Sequence, residues 1–399
     1  MKRGAIMTKL DKLLAELCPN GVELKKVKDV YKRLKGTPIT ATKMKEIDNP
    51  NGEIRIFAGG KTVINAREED ISKANITRVP AVLVQSRGVI DVVYYNKPFT
   101  FKNEMWAYTA ENEIEVKYLF YVLKKDIMKF REAASGMGSL PQISLPVTEE
   151  FVMPVPPLEV QREIVHILDK FTGLTTELTT ELTARKMQYE YYRNFLISKE
   201  VNAEKITLRD IARNYCSGGT PLKSHREYYK NGDIPWLRTQ EVTFNEITNT
   251  QCFITEEGLI NSSAKWIPTN CVIVAISGAS AGRCAINKIP LTTNQHCLNI
   301  EIDISKALYK YVYYCICNQY KDLIAKKEGA RGDLNAKRIL DLKISIPSLE
   351  VQRKIVSVLD NFEAICTNLN SGLPAEIEVR RKQYEYYRDK LLSFKKLSE

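Results

Sequence analysis

The 399-residue sequence predicts an α+β protein built as a tandem repeat: two mixed α/β domains separated by two long helices that form an antiparallel coiled coil with pseudo-twofold character. Three observations carry that expectation. LEVQREIVHILDKF from Leu158 returns as LEVQRKIVSVLDNF from Leu349, 191 residues later, and QYEYYR from Gln188 returns from Gln383, 195 residues later. A fixed internal period of this length marks a duplicated unit. Ile164, Ile167, Leu168, Phe171, Leu174, Leu178 and Leu182 fall three or four apart, which draws one apolar stripe down a helix. The stretches between these helices carry short strand-like runs followed by a helical pattern.

The expected organisation is a first globular domain over 1–157, a helical region over 158–199, a second globular domain over 200–348 and a second helical region over 349–399. In the first domain IRIFA, VPAVLVQ, DVVYY and FTFKN read as strands, and the segment from Glu115 to Ala134 as helix. In the second, IPWLRT, CVIVAIS and CLNIEI read as strands before a helix from Ser305. The two domains echo each other faintly: Gly36-Thr37-Pro38 with Gly219-Thr220-Pro221, VPAVLVQSRG with CVIVAISGASAG, YLFYVL with YVYYCI. The N-terminal LDKLLAELCPNGVELKKVKD also resembles YRNFLISKEVNAEKITLRD after the first QYEYYR. Prolines stand just before both helical regions, where a missing N–H is harmless. A continuous helix of such a region spans about 50–60 Å. Gly173 and the run Ser371-Gly372-Leu373-Pro374 predict a break in each.

Composition narrows the function. Hydrophobic content of 44% and charged content of 27% are ordinary for a globular chain. There is no apolar run long enough to span a membrane, and the start has no secretory leader, so a cytoplasmic location is expected. The net charge of +11 favours a polyanionic partner such as nucleic acid. Nine cysteines, eight of them after residue 200, form no CxxC pair and read as reduced core residues.

The sequence offers no catalytic constellation. Gly59-Gly60-Lys61-Thr62 has the end of a phosphate-binding loop, but the first glycine of that motif falls on Arg55. Gly278-Ala-Ser-Ala-Gly282 has no helix pattern after it. His166, His225 and His296 have no metal-ligand spacing, so no metal is expected. Neither an NPPY-like nor an FxGxG segment is present, which counts against a methyltransferase carrying its own recognition domains. The basic excess and the diverged paired domains count against a purely structural coiled-coil adaptor.

The helical regions recur almost unchanged while the globular parts differ. Glu159, Gln161, Arg162, Glu190 and Arg193 recur as Glu350, Gln352, Arg353, Glu385 and Arg388. Taken as solvent-side positions, their recurrence favours an external contact made twice over a purely internal role.

The paired boxes, the ELCPNGV start and the LTTELTTEL repeat together resemble the specificity subunits of type I restriction-modification systems, over the whole chain. That resemblance implies two target-recognition domains, each reading one half of a split double-stranded DNA site, held apart by the helical spacer. It also implies two methylation subunits docked on the repeated regions and two restriction (motor-nuclease) subunits joining for cleavage. S-adenosylmethionine, ATP and magnesium would be bound by those partners and not by this chain, which is not itself an enzyme.

Basic and polar side chains in loops between strands are the candidates for DNA contact. In the first domain these are Lys61, Arg67, Arg78, Arg87 and Lys102. In the second they are Lys223, Arg226, Arg238, Gln240, Arg283 and Arg331. The loops Gly136–Leu140 and Gly329–Leu334 match each other and suit close backbone approach to phosphate. Gln161, Arg162, Tyr189 and Tyr192, with Gln352, Arg353, Tyr384 and Tyr387, are the candidate partner-binding residues, the tyrosines being better placed for a protein interface than for stacking on bases.

Overall fold

A computed structural model describes residues 3–71, 74–135, 140–199, 203–325, 334–367 and 371–397. The chain divides into two compact units. One is Met1–Thr179 together with Glu376–Glu399, and the other is Thr180–Ala375. Each unit therefore draws on both repeated regions.

The first unit begins with α1 (Arg3–Leu17), β1 (Leu24–Lys26), α2 (Val27–Val30), β2 (Lys32–Leu34) and α3 (Ala41–Glu46). The strands β3 (Ile54–Phe57), β4 (Val63–Ala66), β5 (Ala81–Gln85), β6 (Asp91–Tyr95), β7 (Phe99–Phe101) and β8 (Trp106–Thr109) follow. Then come α4 (Glu113–Lys125), α5 (Ile127–Glu132), α6 (Leu145–Glu149), β9 (Val152–Pro154) and α7 (Leu158–Lys199). The main sheet runs β2-β8-β5-β6, a smaller one β4-β3-β7, and β1 pairs with β9. Val82 and Val84 of the wholly buried β5 pack with Val116, Leu119 and Leu123 of α4 and with Ile164, Ile167 and Leu168 of α7 in one core.

The second unit repeats this plan with β10 (Glu204–Thr207), α8 (Leu208–Ile211), β11 (Ala212–Ser217), β12 (Ile234–Leu237), β13 (Glu246–Ile247), β14 (Phe253–Ile254) and α9 (Glu256–Ile260). It continues through β15 (Val272–Ala275), β16 (Cys284–Asn287), β17 (Thr292–Thr293), β18 (Cys297–Ile302), α10 (Tyr309–Asn318), α11 (Tyr320–Ala325), α12 (Ala336–Leu340), β19 (Lys343–Ile346) and α13 (Leu349–Thr367). Its sheets run β11-β18-β15-β16-β13, β14-β12-β17 and β10-β19. In each small sheet the middle strand pairs antiparallel with one neighbour and parallel with the other. The last helix, α14 (Leu373–Leu391), belongs mostly to the first unit.

Internal contacts repeat as closely as the sequence boxes. Asp169 of α7 holds Lys117 at 2.8 Å and Tyr121 at 2.6 Å; Asp360 of α13 holds Lys310 at 2.9 Å and Tyr314 at 2.6 Å. Phe171 stacks on Tyr387 with ring centroids 5.2 Å apart, and Tyr192 stacks on Phe362 at 5.3 Å. Each pair joins one repeated region to the other, in opposite chain order, as antiparallel pairing requires. The repeated Gly-Thr-Pro has a packing cause. A Cβ on Gly36 would stand 2.7 Å from the Phe101 carbonyl oxygen, and one on Gly219 would stand 2.3 Å from the Ala264 nitrogen, so only glycine fits.

Two expectations are corrected. α7 runs unbroken through Gly173, because glycine keeps the backbone N–H that the helix ladder needs, whereas the second region divides into α13 and α14 around Gly372 and Pro374. The threonines of the LTTE repeat satisfy their hydroxyls within the continuous helix by bonding back one turn: Thr175 to the Phe171 carbonyl at 2.9 Å, Thr176 to that of Thr172 at 2.9 Å and Thr179 to that of Thr175 at 2.7 Å. A Cβ added at Gly173 meets nothing within 4 Å. Gly173→Ala is therefore expected to stabilise the chain by about 1 kcal/mol, read as a raised midpoint in denaturant unfolding.

The second correction concerns the N-terminal echo. Leu391 and Leu392 are buried in the first unit as Ile197 is in the second, so the end of α14 matches the end of α7. α1 is thus an additional element of the first unit, and only the stretch from β1 onward matches β10 and α8.

All nine cysteines are free and six are buried. Burial pushes the Cys271 and Cys297 thiols up to about 12, which leaves them protonated and unreactive. A half-buried carboxyl of the second unit has no counterpart in the first. Glu363 of α13 stands where α7 has Thr172, accepts from the Tyr314 hydroxyl at 2.8 Å, and burial raises its pKa. The folded state holds this proton more tightly than the unfolded state. The resulting stabilisation is complete below the ordinary glutamate value and is lost as pH rises through the raised folded value. Thermal melts between about pH 4 and 8 should show that decline, and Glu363→Gln should flatten it.

Candidate nucleic-acid interface

Strand ends and hairpin turns position the basic residues of the first unit. The turn after β3 places Gly60 against the β5–β6 hairpin, its N–H donating to the Arg87 carbonyl at 2.9 Å, while the Lys102 N–H donates to the Phe57 carbonyl at 3.0 Å. Gly60 and Gly88 adopt φ of 71° and 78°, and space beyond the Gly60 Cα is open. Together they line a concavity of about 540 Å³ with Arg87, Lys102, Glu104 and Leu140. Lys61 stands exposed on its rim beside Gly60. Lys102 is tied to Glu104 at 3.1 Å. Glu104 also lines an adjoining cleft of about 680 Å³ with Arg33, Lys35, Asn75, Asn103 and Gln142.

The structure thus brings Lys61, Arg87 and Lys102 together. Arg67 and Arg78 stand apart at the far end of β4, paired with Glu69 at 3.3 Å and Glu68 at 2.5 Å. A nearby Glu53 carboxyl is held below its ordinary value by backbone hydrogen bonds and by these two arginines. In the second unit Arg238 leaves β12 half-buried, with Gln251 at 3.4 Å and Glu241 at 3.8 Å. Its short helical turn, 239–241, carries the exposed Gln240 and packs against the turn 278–280 that leads to Arg283. Arg87 and Arg283 are equivalent, one on the hairpin between β5 and β6 and the other on that between β15 and β16. Lys223 and Arg226 lie on a separate exposed segment beside His225. Arg331 and the loops 136–139 and 329–333 fall outside the described residues.

Sequence reasoning missed the Asn75, Asn103 and Gln142 cleft and the Gln295 loop, where Gln295 meets Thr220 of the repeated Gly-Thr-Pro. Asparagine and glutamine amides can bond base edges bidentately, but Asn75 and Gln295 lie far along the chain from the tripeptides they meet, so no local pattern marked them.

The repeated regions correct several partner assignments. Gln161 and Gln352 are only 3% and 0% exposed, and each donates to the carbonyl just ahead of its own helix, Pro156 or Pro347, at 2.8 Å. Their recurrence is therefore internal packing rather than the sign of an external contact. Tyr192 and Tyr387 are engaged in the ring stacks above. Tyr189 and Tyr384 lie half-buried beneath Arg193 at 5.5 Å and Arg388 at 5.7 Å. Arg162 and Arg353 are exposed as expected. The middle tyrosines of the boxes, Tyr191 and Tyr386, stand 64% and 63% exposed.

Paired basic hairpins on duplicated α/β units, joined to near-identical helices, define a nucleic-acid recognition protein of tandem design. A family model of the type I restriction modification DNA specificity domain matches residues 19–185 and again 200–379. The specificity subunit of the Escherichia coli type I restriction enzyme EcoR124I/EcoR124II is 38% identical over 298 residues, covering 72% of this chain and 72% of its own length. The chain belongs to the type I restriction-modification DNA specificity family. In that family the chain is the recognition subunit, and catalysis resides in other subunits.

Solved structures share the fold. The type I restriction-modification S subunit of M. genitalium superposes with a TM-score of 0.61 at 18% identity, over 93% of this chain and 96% of its own. A chain from a study of type I complex assembly and conformational transition gives 0.54 at 13% identity, over 94% and 98%. Among the described residues no helix is long and apolar enough to cross a membrane, and no cluster of histidine, cysteine and carboxylate side chains has metal-site geometry.

Proposed function

We propose that the chain reads a bipartite double-stranded DNA site, one half-site per unit, and carries two methylation subunits and two restriction subunits. In this reading S-adenosylmethionine, ATP and magnesium are bound by those subunits, and the assembly works in the cytoplasm. The observation that carries the proposal is the contrast between the two levels of duplication. The helical boxes recur almost unchanged, and so do their Asp–Lys–Tyr contacts and ring stacks. Among the described candidate residues, the reading surfaces share the hairpin arginine and otherwise differ, with Lys61 and Lys102 in one and Arg238 and Gln240 in the other. Equivalent scaffolds with different surfaces suit equivalent partners and two different DNA half-sites.

Arg87→Ala and Arg283→Ala test the surfaces. Loss of one phosphate or base contact is worth about 1–3 kcal/mol, so each variant should bind the specific duplex about tenfold or more weakly at fixed salt. Fluorescence anisotropy with the methylation subunits present measures this. Affinities within twofold of the unaltered chain for both variants would remove these hairpins from the reading surface.

A further inference from the structure

One turn has the same backbone in both units and different side chains. In the first unit it is Lys102-Asn103-Glu104, between β7 and β8, and in the second it is Asn294-Gln295-His296, between β17 and β18. Three hydrogen bonds set the correspondence. The Lys102 N–H donates to the Phe57 carbonyl and the Asn294 N–H to the Leu237 carbonyl, both at 3.0 Å. The Met105 N–H closes the first turn on the Lys102 carbonyl at 2.9 Å, and the Cys297 N–H closes the second on that of Asn294 at 3.2 Å. The residue that follows β5 or β15 takes the third carbonyl: the Ser86 hydroxyl donates to that of Glu104, and the Ile276 N–H to that of His296 at 2.9 Å. Backbone bonds hold each turn, so its side chains can differ without moving it. Asn103, Gln295 and His296 are exposed.

Glu104 carries the chemistry that a phosphate contact does not explain. Among the described residues, five cations line the two clefts of the first unit against two carboxylates, Asp48 and Glu104, and Glu104 is the residue that borders both clefts. Its carboxylate sits 3.1 Å from Lys102, with the side chain 27% exposed. A DNA phosphate repels a carboxylate placed there, so Glu104 costs affinity unless a donor meets it. In the major groove, which admits a two-stranded hairpin such as β5–β6, the donors are adenine N6 and cytosine N4, whereas guanine O6 and thymine O4 are acceptors. We infer that Glu104 is a specificity-determining residue of the first unit, accepting from the exocyclic amine of one adenine or cytosine and rejecting guanine or thymine at that position. The inference rests on the bipartite DNA reading proposed above. In the second unit His296 holds the same place, and its ring can donate as well as accept, so the equivalent position is read by a different rule. One exchanged side chain on a fixed turn thus gives equivalent scaffolds different half-sites.

The unaltered chain and Glu104→Ala, each assembled with the methylation subunits of its own system, test this in fluorescence anisotropy titrations. The duplexes carry the native split motif, with the adenines and cytosines of the half-sites replaced one at a time by purine or 2-pyrimidinone, which lack the amine. At one position of one half-site the replacement should weaken the unaltered assembly about tenfold, while Glu104→Ala binds the replaced and native duplexes within twofold of each other. Whether that position takes purine or pyrimidinone separates adenine from cytosine. Glu104→Gln keeps the shape and removes the charge; mapping of its methylated adenines should show the same position relaxed and the other half-site unchanged. Both variants should melt with the unaltered chain, because the turn is held through its backbone. Equal penalties in Glu104→Ala and the unaltered assembly at every position, or a motif that Glu104→Gln leaves unrelaxed, would overturn the inference and leave the bipartite reading standing. An unaltered assembly that fails to distinguish the split motif from a scrambled duplex would overturn that reading and the inference with it.

Discussion

Deleting Thr179–Leu182 is expected to change the DNA motif that the assembled enzyme methylates, shortening the unspecified spacer by one or two base pairs and leaving both half-sites intact. Four residues of helix amount to about 6 Å and slightly more than one turn. B-DNA advances about 3.4 Å per base pair along each strand. The deletion falls where α7 tolerates it. Leu178 and Leu182 are half-buried, the surrounding threonines are mostly solvent-facing, and the threonine hydroxyls bond within their own helix. The ring stacks of Phe171 and Tyr192 lie on either side of the deleted unit, outside it. Genome-wide mapping of methylated adenines in a strain carrying the deletion reads the result directly. An unchanged spacer would show that α7 does not set the separation.

The second large effect is on stability, and it differs between two residues that look alike in sequence. Gln352 spans three backbone groups: it donates to the Pro347 carbonyl at 2.8 Å and the Lys306 carbonyl at 3.4 Å, and accepts the Leu308 N–H at 2.8 Å. Gln161 donates to the Pro156 carbonyl, but its own Oε1 is buried with no partner. Replacing Gln352 with leucine strands one backbone donor and two backbone acceptors, a cost of about 3 kcal/mol. Replacing Gln161 with leucine strands one carbonyl and removes an already unsatisfied atom, a cost of about 1 kcal/mol. Hydrogen exchange read separately over each unit should show Gln352→Leu loosening the second unit far more than Gln161→Leu loosens the first. Equal losses would contradict this account of the N-terminal helix contacts.

Much of the architecture could be read before any coordinates, because duplication exposes which residues a fold cannot vary. The strands at Ile54, Ala81, Asp91, Phe99, Ile234, Val272 and Cys297 all form where alternating or wholly apolar runs predict them, and the helices α4, α7, α10 and α13 follow their apolar spacing. What sequence could not supply was direction. A glutamine and an arginine one position apart in the same box point oppositely: Gln161 turns inward to cap its helix and Arg162 faces water. Three tyrosines in QYEYYR divide in the same way, one stacked, one beneath an arginine and one exposed. A polar residue that recurs for internal reasons looks identical in sequence to one that recurs for a partner. The basic surface was legible in part. Arg87, Lys61 and Lys102 gather because hairpin turns and strand ends meet, a relation set by sheet order rather than by spacing along the chain. Arg67 and Arg78 have the same composition cues but pair with Glu69 and Glu68. Gly173 shows the limit of counting breakers: a glycine inside an otherwise strong helical pattern lowers propensity without removing a hydrogen bond, and the helix continues.

Mapping methylated adenines in the native genome, before and after removing this chain, tests the central claim most directly. The account predicts a split motif, two defined half-sites around a fixed unspecified gap, that is methylated with the chain present and disappears without it. Methylation that persists unchanged after its removal would contradict the assignment of DNA specificity to this subunit.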